Sequence, residues 1–257
     1  MQMLEGDAKC WMQMLSRRKR AFRPERTRKR SNIESGGHFR AQLIHKIAPG
    51  SPRTPFSKGG LPEIRWMNGI RLRPATVADA AEILAIYQPY IESSAITFEE
   101  EVPSLDAFAT RISNCLRRYP WIVAEADGKV AGYAYAASYN ERAAYQWACL
   151  ASVYLADDYK GKGLARPLYE ALFRLLRAQG YRSVFALITL PNAPSVGLHE
   201  RCGFRYFTTF DNIGYKLGSW HEVGWWRLDL GDFNGKPEVP VPFAAFPAAE
   251  AERLLQA

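Results

Sequence analysis

Residue types and spacing imply chemistry most clearly in Val153-Tyr154-Leu155-Ala156-Asp157-Asp158-Tyr159-Lys160-Gly161-Lys162-Gly163-Leu164-Ala165-Arg166. The segment reads as a strand, a polar turn, a glycine-containing loop and the start of an amphipathic helix. Glycine has no Cβ, so Gly161 and Gly163 let the backbone approach a phosphate closely. A helix N-terminus adds unpaired N–H groups and the positive end of a dipole. Lys160, Lys162 and Arg166 add charge, and Pro167 lacks an N–H that the first helical turn does not need. Together these residues form a cradle for a pyrophosphate. The spacing is neither G-x-x-x-x-G-K-[ST] nor G-x-G-x-x-G. The alternative is a solvated basic turn capping a helix.

The elements that must position this loop alternate between two periodicities. Ile70–Arg73 reads as a strand. Thr76-Val77-Ala78-Asp79 is a helix entry, with a capping threonine and an acid three residues on. Ala80, Ile83, Leu84 and Ile86 then follow helical spacing, and Leu105–Leu116 repeats it. Trp121–Glu125 and Val130–Ala137 are strands joined through Asp127-Gly128, a strong hairpin signal. Another strand covers about Trp147–Leu155. Leu164, Leu168, Ala171, Leu172, Leu175 and Leu176 share one helical face. Ser183–Ile188 is an apolar strand, and Ser195–Cys202 a short helix ended by Gly203. Tyr206–Tyr215 and Val223–Leu230 complete the set. This order predicts an α/β fold with one mixed sheet flanked by helices. The tail from Gly231 has one helical stretch near its end.

Charge divides the chain. Residues 1–66 hold 15 Lys+Arg against 5 Asp+Glu, while the remainder holds 19 against 21. Residues 1–66 therefore read as a basic extension without a fold of its own. A nucleic-acid arm, a membrane-surface arm and a transit peptide are the alternatives. Glu5, Asp7, Glu25 and Glu34 count against the last. Met67 stands immediately before the first strand pattern, so the domain is expected over 67–230, followed by a tail over 231–257. The apolar stretches are too short for a membrane span. Cys10, Cys115, Cys149 and Cys202 form no C-x-x-C pair, which favours reduced thiols in the cytoplasm and supports no metal site.

Over residues 69–230 the sequence resembles the GNAT family of N-acetyltransferases. Lys160, Gly163 and Ala165 match its acetyl-CoA signature Gln/Arg-x-x-Gly-x-Gly/Ala, with lysine a mild departure at the first position. Leu190-Pro191-Asn192-Ala193-Pro194-Ser195-Val196-Gly197-Leu198-His199-Glu200-Arg201-Cys202-Gly203-Phe204 resembles the family's second cofactor segment. The stretches Ala95-Ile96-Thr97-Phe98-Glu99, Arg142-Ala143-Ala144-Tyr145-Gln146-Trp147 and Tyr215-Lys216-Leu217-Gly218-Ser219-Trp220-His221-Glu222-Val223-Gly224-Trp225-Trp226 are more specific. They resemble the phosphinothricin and arsinothricin acetyltransferase branch.

The resemblance implies direct attack of a neutral amine on the thioester of acetyl-CoA, with catalysis by positioning, deprotonation and oxyanion stabilisation. It implies that the cofactor wedges between splayed strands at about Ser152–Leu155 and Ser183–Ile188. Backbone N–H groups near Tyr154 and Leu155 would face the thioester carbonyl, and Asn192 and Ser195 the pantetheine and phosphate arm. The implied acceptor is a small phosphinothricin-like or arsinothricin-like amino acid. Arg142 is the candidate for its carboxylate, because a planar guanidinium suits that group. Phe98, Tyr145 and Trp147 are candidates for the pocket wall or simply for the core. No nucleic-acid or membrane partner is expected, and a second copy of the chain is a candidate partner.

One position departs from the branch. The acidic residue expected three places before the Val-Tyr pair is Leu150 here, which accepts no proton. His221 is the local candidate for a base, since histidine as a residue type suits proton transfer near neutral pH. His199 lies where many relatives carry a tyrosine that could protonate the leaving thiolate. A structural role is the alternative for each histidine. Two functions remain open: an active N-acetyltransferase, and a catalytically weakened domain that binds acetyl-CoA as a sensor.

Overall fold

The computed structural model describes residues 69–257; the basic extension expected over residues 1–66 lies outside them. Seven strands form one sheet: β1 (Ile70–Pro74), β2 (Trp121–Ala126), β3 (Lys129–Ser138), β4 (Ala148–Leu155), β5 (Ser183–Leu190), β6 (Arg205–Lys216) and β7 (Ser219–Asp229). Their spatial order is β1-β2-β3-β4-β5-β7-β6. Every neighbouring pair is antiparallel except β4–β5, which is parallel. Helices α1 (Ala80–Ser93), α2 (Leu105–Leu116), α3 (Ala165–Gln179), α4 (Ala193–Arg201) and α5 (Ala248–Gln256) complete the described residues. This is the mixed α/β architecture that the alternating periodicities predict.

Local chemistry accounts for the boundaries. Ser104 accepts the Ala107 N–H at 3.3 Å and so starts α2. Asp127 and Gly128 both take positive φ, as the β2–β3 hairpin requires. Gly180 ends α3 in the left-handed conformation. The capping box expected at Thr76, with Asp79 three residues on, is present, and only the geometry of the first turn departs from a regular helix. Asp79 accepts the Thr76 N–H at 2.7 Å and also pairs with Arg73, which tightens Val77–Asp79 into a 3₁₀ turn before α1 begins.

The core lies where α3 crosses the sheet. Leu168, Leu172, Leu175 and Leu176 on its apolar face are fully buried. The tail packs as well. Leu255 and Ala251 of α5 are buried in the same core, and Arg174 of α3 donates to the Leu254 carbonyl at 2.7 Å. Further back, the Trp147 indole donates to the Glu238 carbonyl at 2.7 Å. Among the described residues the three cysteines carry free thiols, and no helix is long and apolar enough to cross a membrane.

Candidate active site

The sheet divides at its parallel joint. β4 and β5 pair only through Ala148↔Ser183, Cys149↔Val184 and Leu150↔Phe185. Beyond Leu150, β4 stays paired with β3 as far as Leu155, and β5 stays paired with β7 as far as Leu190. The edge of Ala151–Leu155 that faces β5 thus has no strand partner. An extended ligand with its own hydrogen-bonding groups fits such an opening. Gly132 lets β3 sit close behind it, since a Cβ there would come within 2.9 Å of the Tyr154 carbonyl. Tyr90 donates to the Leu155 carbonyl at 2.8 Å and fixes the end of β4.

The glycine loop stands at the mouth of this opening. Gly161 and Gly163 have φ of 72° and 85°, and a Cβ built at either would meet nothing within 4 Å. Helix α3 starts without a side-chain cap, with Leu164 at the cap position, so no side chain competes for its first N–H groups. Lys160 is held by Asp157 at 2.5 Å and lies 4.4 Å over the Tyr90 ring. Arg166 is held by Glu170 at 2.7 Å, whereas Lys162 has no ion-pair partner among the described residues. Exposed ion pairs of this kind contribute about 0–1 kcal/mol, so a phosphate can displace them readily. The loop therefore fits a diphosphate group.

Asn192 caps α4 by accepting the Ser195 N–H at 3.2 Å, which places both residues beside the end of β5. His199 sits deeper. Its Nδ1 meets the Ser195 carbonyl at 2.7 Å, and a carbonyl only accepts, so Nδ1 carries the proton. Its Nε2 then accepts from the Tyr169 hydroxyl at 2.9 Å. Burial holds its pKa below the ordinary value, against the opposing bond to Ser195. This neutral, doubly bonded imidazole fastens α4 to α3.

The second histidine is placed differently. His221 pairs across the hairpin with Gly214, next to the Glu222↔Leu190 pair that marks the open end of β5. Its Nε2 lies 2.9 Å from the Lys216 carbonyl and 3.3 Å from Ser219 Oγ. The carbonyl fixes the proton on Nε2 and leaves the Nδ1 lone pair without a protein partner among the described residues. Phe98 packs 6.0 Å from this ring and lies directly on Gly214, where any side chain would collide with it.

Residues 94–104, which carry Phe98, are tied down by groups that the sequence does not single out. Glu99 forms a two-pronged pair with Arg111 at 2.6 and 3.1 Å and accepts from the Tyr87 hydroxyl at 3.2 Å. Lys216, 4% exposed, donates to the Thr97 carbonyl at 2.8 Å. Burial lowers its pKa, while Glu100 and Glu99 oppose that shift. Thr97, Glu99 and Lys216 lie inside the two branch-like stretches, and the contact between Lys216 and Thr97 spans 119 residues.

The remaining candidates spread over the same sheet face. Side chains alternate along strands, so Leu150, Ser152 and Tyr154 of β4 share a face with Phe185 of β5 and Trp225 of β7. Tyr139 packs against Phe185 at 4.9 Å and Trp225 at 6.2 Å, and Tyr145 packs on Tyr139 at 5.6 Å. Arg142 is exposed beside Tyr145, with no ion-pair partner among the described residues. Trp147 instead turns to the tail. With Tyr145 and Arg182 it lines a cavity of about 240 Å³ at the closed end of β4 and β5, away from the glycine loop. The unpaired backbone of β4, the uncapped start of α3 and the hairpin that carries His221 all lie toward the open end.

Residues 72–225 match the family model described as Acetyltransferase (GNAT) domain. The chain is 40% identical over 173 residues to the phosphinothricin N-acetyltransferase of Streptomyces viridochromogenes, covering 67% of this chain and 91% of that one. It is 35% identical over 168 residues to an L-methionine sulfoximine/L-methionine sulfone acetyltransferase of Pseudomonas aeruginosa, covering 65% and 98%. Among solved structures, a GNAT superfamily phosphinothricin acetyltransferase from Sinorhizobium meliloti in complex with AcCoA superimposes with a TM-score of 0.64 at 31% identity, covering 70% and 96%.

Proposed function

The chain belongs to the GNAT family of acetyltransferases, and on that premise we propose that it acetylates the amino group of a small amino acid of the phosphinothricin or methionine sulfoximine type. It is an acetyl-CoA-dependent N-acetyltransferase. The cofactor-holding residues we assign are the Val153–Leu155 edge, Lys160–Arg166 at the loop and helix start, and Asn192 and Ser195 at the second segment. When bound there, acetyl-CoA supplies an acetyl group activated as a thioester.

The chain's own residues do the rest. Arg142 offers a fork of N–H donors to the acceptor's carboxylate. Phe98 walls the acceptor on the His221 side and keeps water from it, and Tyr145, which reaches the fork through Tyr139 on Phe185, bounds the opposite side. His221 would take one proton from the acceptor's ammonium on Nδ1 and leave the amine lone pair free to attack; as the N–C bond forms the C–S bond breaks, and the departing thiolate leaves as the thiol with the amine's second proton. Backbone N–H groups near Tyr154 and Leu155 stabilise the negative charge that develops on the carbonyl oxygen. We give His199 a structural part, because both of its ring nitrogens are already engaged.

The observation that carries this reading is the His221 imidazole, held through Nε2 by the Lys216 carbonyl with Nδ1 left open beside Phe98. A second reading, a domain that binds acetyl-CoA without efficient turnover, is favoured by Leu150 alone. A thiol-release assay with acetyl-CoA over phosphinothricin, methionine sulfoximine, methionine sulfone and glutamate separates the two. Turnover on any of the first three supports the enzyme. Acetyl-CoA binding without thiol release on all four supports the binding module.

A further inference from the structure

We infer that Lys216 is a positioning residue, a tie that holds the acceptor-side loop across the mouth of the split sheet; this rests on the acyl-transfer reading above. The two halves of the sheet, β1–β4 and β5–β7 with β6, share three residue pairs at the closed end. Residues 94–104 link them again at the open end. On the β4 side, Thr97 Oγ1 lies 2.7 Å from the Tyr87 hydroxyl, and Glu99 is gripped by Arg111 and Tyr87. Tyr87 in turn packs edge-on against Tyr154 of β4, with ring centroids 5.0 Å apart. On the β6–β7 side, the Lys216 ammonium binds the Thr97 carbonyl at 2.8 Å. Phe98 lies between these anchors and is pressed onto Gly214 and His221.

The chemistry of Lys216 argues against a packing role. A buried ammonium loses its hydration, and that cost needs a specific return. Methionine would fill a similar volume without the cost. What Lys216 alone provides is a charged donor for Thr97, while its own carbonyl orients His221. One residue therefore sets both the position of Phe98 and the tautomer of the base. Only the first of these depends on its side chain.

Lys216→Met and Lys216→Arg in the full chain test this. Hydrogen exchange at the amides of residues 95–100, read on the unliganded protein, should quicken about tenfold in Lys216→Met, the loss expected of one charge-assisted bond. Amides of β2 and β3 should keep their wild-type rates. The acceptor KM should rise by about tenfold and the acetyl-CoA KM stay within about twofold, since Lys216 holds the Phe98 segment assigned to the acceptor while the Tyr87 anchor beside Tyr154 is left intact. Lys216→Arg, which retains a donor, should recover most of both effects. Unchanged exchange over residues 95–100 would overturn the proposal. Faster exchange throughout the domain would also overturn it, by assigning Lys216 to general core stability. The exchange readout needs no turnover, so it stands even if no tested amino acid is acetylated, an outcome that counts against the function instead.

Discussion

Leu150 of β4 pairs with Phe185 of β5, and it is the last residue of β4 to do so. The side chain at the fork of the sheet is thus apolar and half-buried, where a carboxylate would be well placed to reach an acceptor amine. Leu150→Glu should raise kcat/KM on the preferred amino acid by at least about tenfold, the low end of what a positioned base contributes. Steady-state kinetics with a melting curve would check it. A folded variant with no gain would mean that His221 handles the proton without help.

The two histidines should separate cleanly. His221→Ala should lower kcat by about a hundredfold with little change in melting temperature, because the ring is partly exposed and bonded through one nitrogen. His199→Ala should do the reverse and cost about 2–4 kcal/mol, since it leaves the Tyr169 hydroxyl and the Ser195 carbonyl without their partner. Equal loss of turnover in both variants at unchanged stability would refute the division of roles.

His199 also predicts a pH dependence. Burial depresses its folded pKa below the unfolded value near 6.5. The unfolded chain therefore binds the proton more readily, so its contribution is present above about pH 6.5 and is lost as pH falls toward the folded value. Denaturant titrations between pH 7.5 and pH 5, round conditions bracketing about that pKa, should show stability falling in wild type and a flatter profile in His199→Gln. A wild-type profile without this fall would contradict the buried neutral assignment.

Gly163→Val places a branched side chain at φ 85°, a left-handed conformation that costs an L-residue about 1–2 kcal/mol. Among the described residues nothing lies within 4 Å of a Cβ at this position, so the further loss is expected where the diphosphate approaches. Acetyl-CoA affinity, measured calorimetrically, should fall by at least about tenfold while the fold survives. Wild-type affinity in a folded variant would move the diphosphate elsewhere.

The tail lies beyond the residues that match the family, yet Leu255 is 2% exposed. Leu255→Ala should cost about 2–4 kcal/mol, as for other buried leucines. It should lower the melting temperature by about 4–15 °C in a domain of this size. An unchanged melting temperature would mean that α5 packs only loosely on α3.

Much of this was legible in the sequence because the decisive signals are local. The α3 leucines recur with the helical period, and Asp127-Gly128 names its own turn. Gly161 and Gly163 are spaced for a loop before a helix, and the structure gives both a positive φ. The split between β4 and β5 was not legible in composition, since both strands are largely apolar on either side of Leu150 and Phe185, and only the family resemblance pointed to it. Lys216 reads as a solvated strand end until a loop 119 residues away closes over it. Tyr169 likewise looks like one more apolar helix position, because its bond to His199 forms only when α4 folds back on α3. Trp147 stands among substrate-like residues in the sequence, but a carbonyl from the tail claims its N–H.

The fork at Leu150 also bears on how the molecule assembles. β1 to β4 come from one continuous stretch of chain and β5 to β7 from another, and each stretch builds its own antiparallel pairs. Helix α3 carries the chain from one to the other, and the parallel joint needs that whole crossover in place before it can close. The cleft therefore coincides with the seam between two consecutive stretches of chain, each paired within itself. A ligand lodged there bridges units that the backbone itself joins through three residue pairs, so occupancy should suppress the motion of one half against the other.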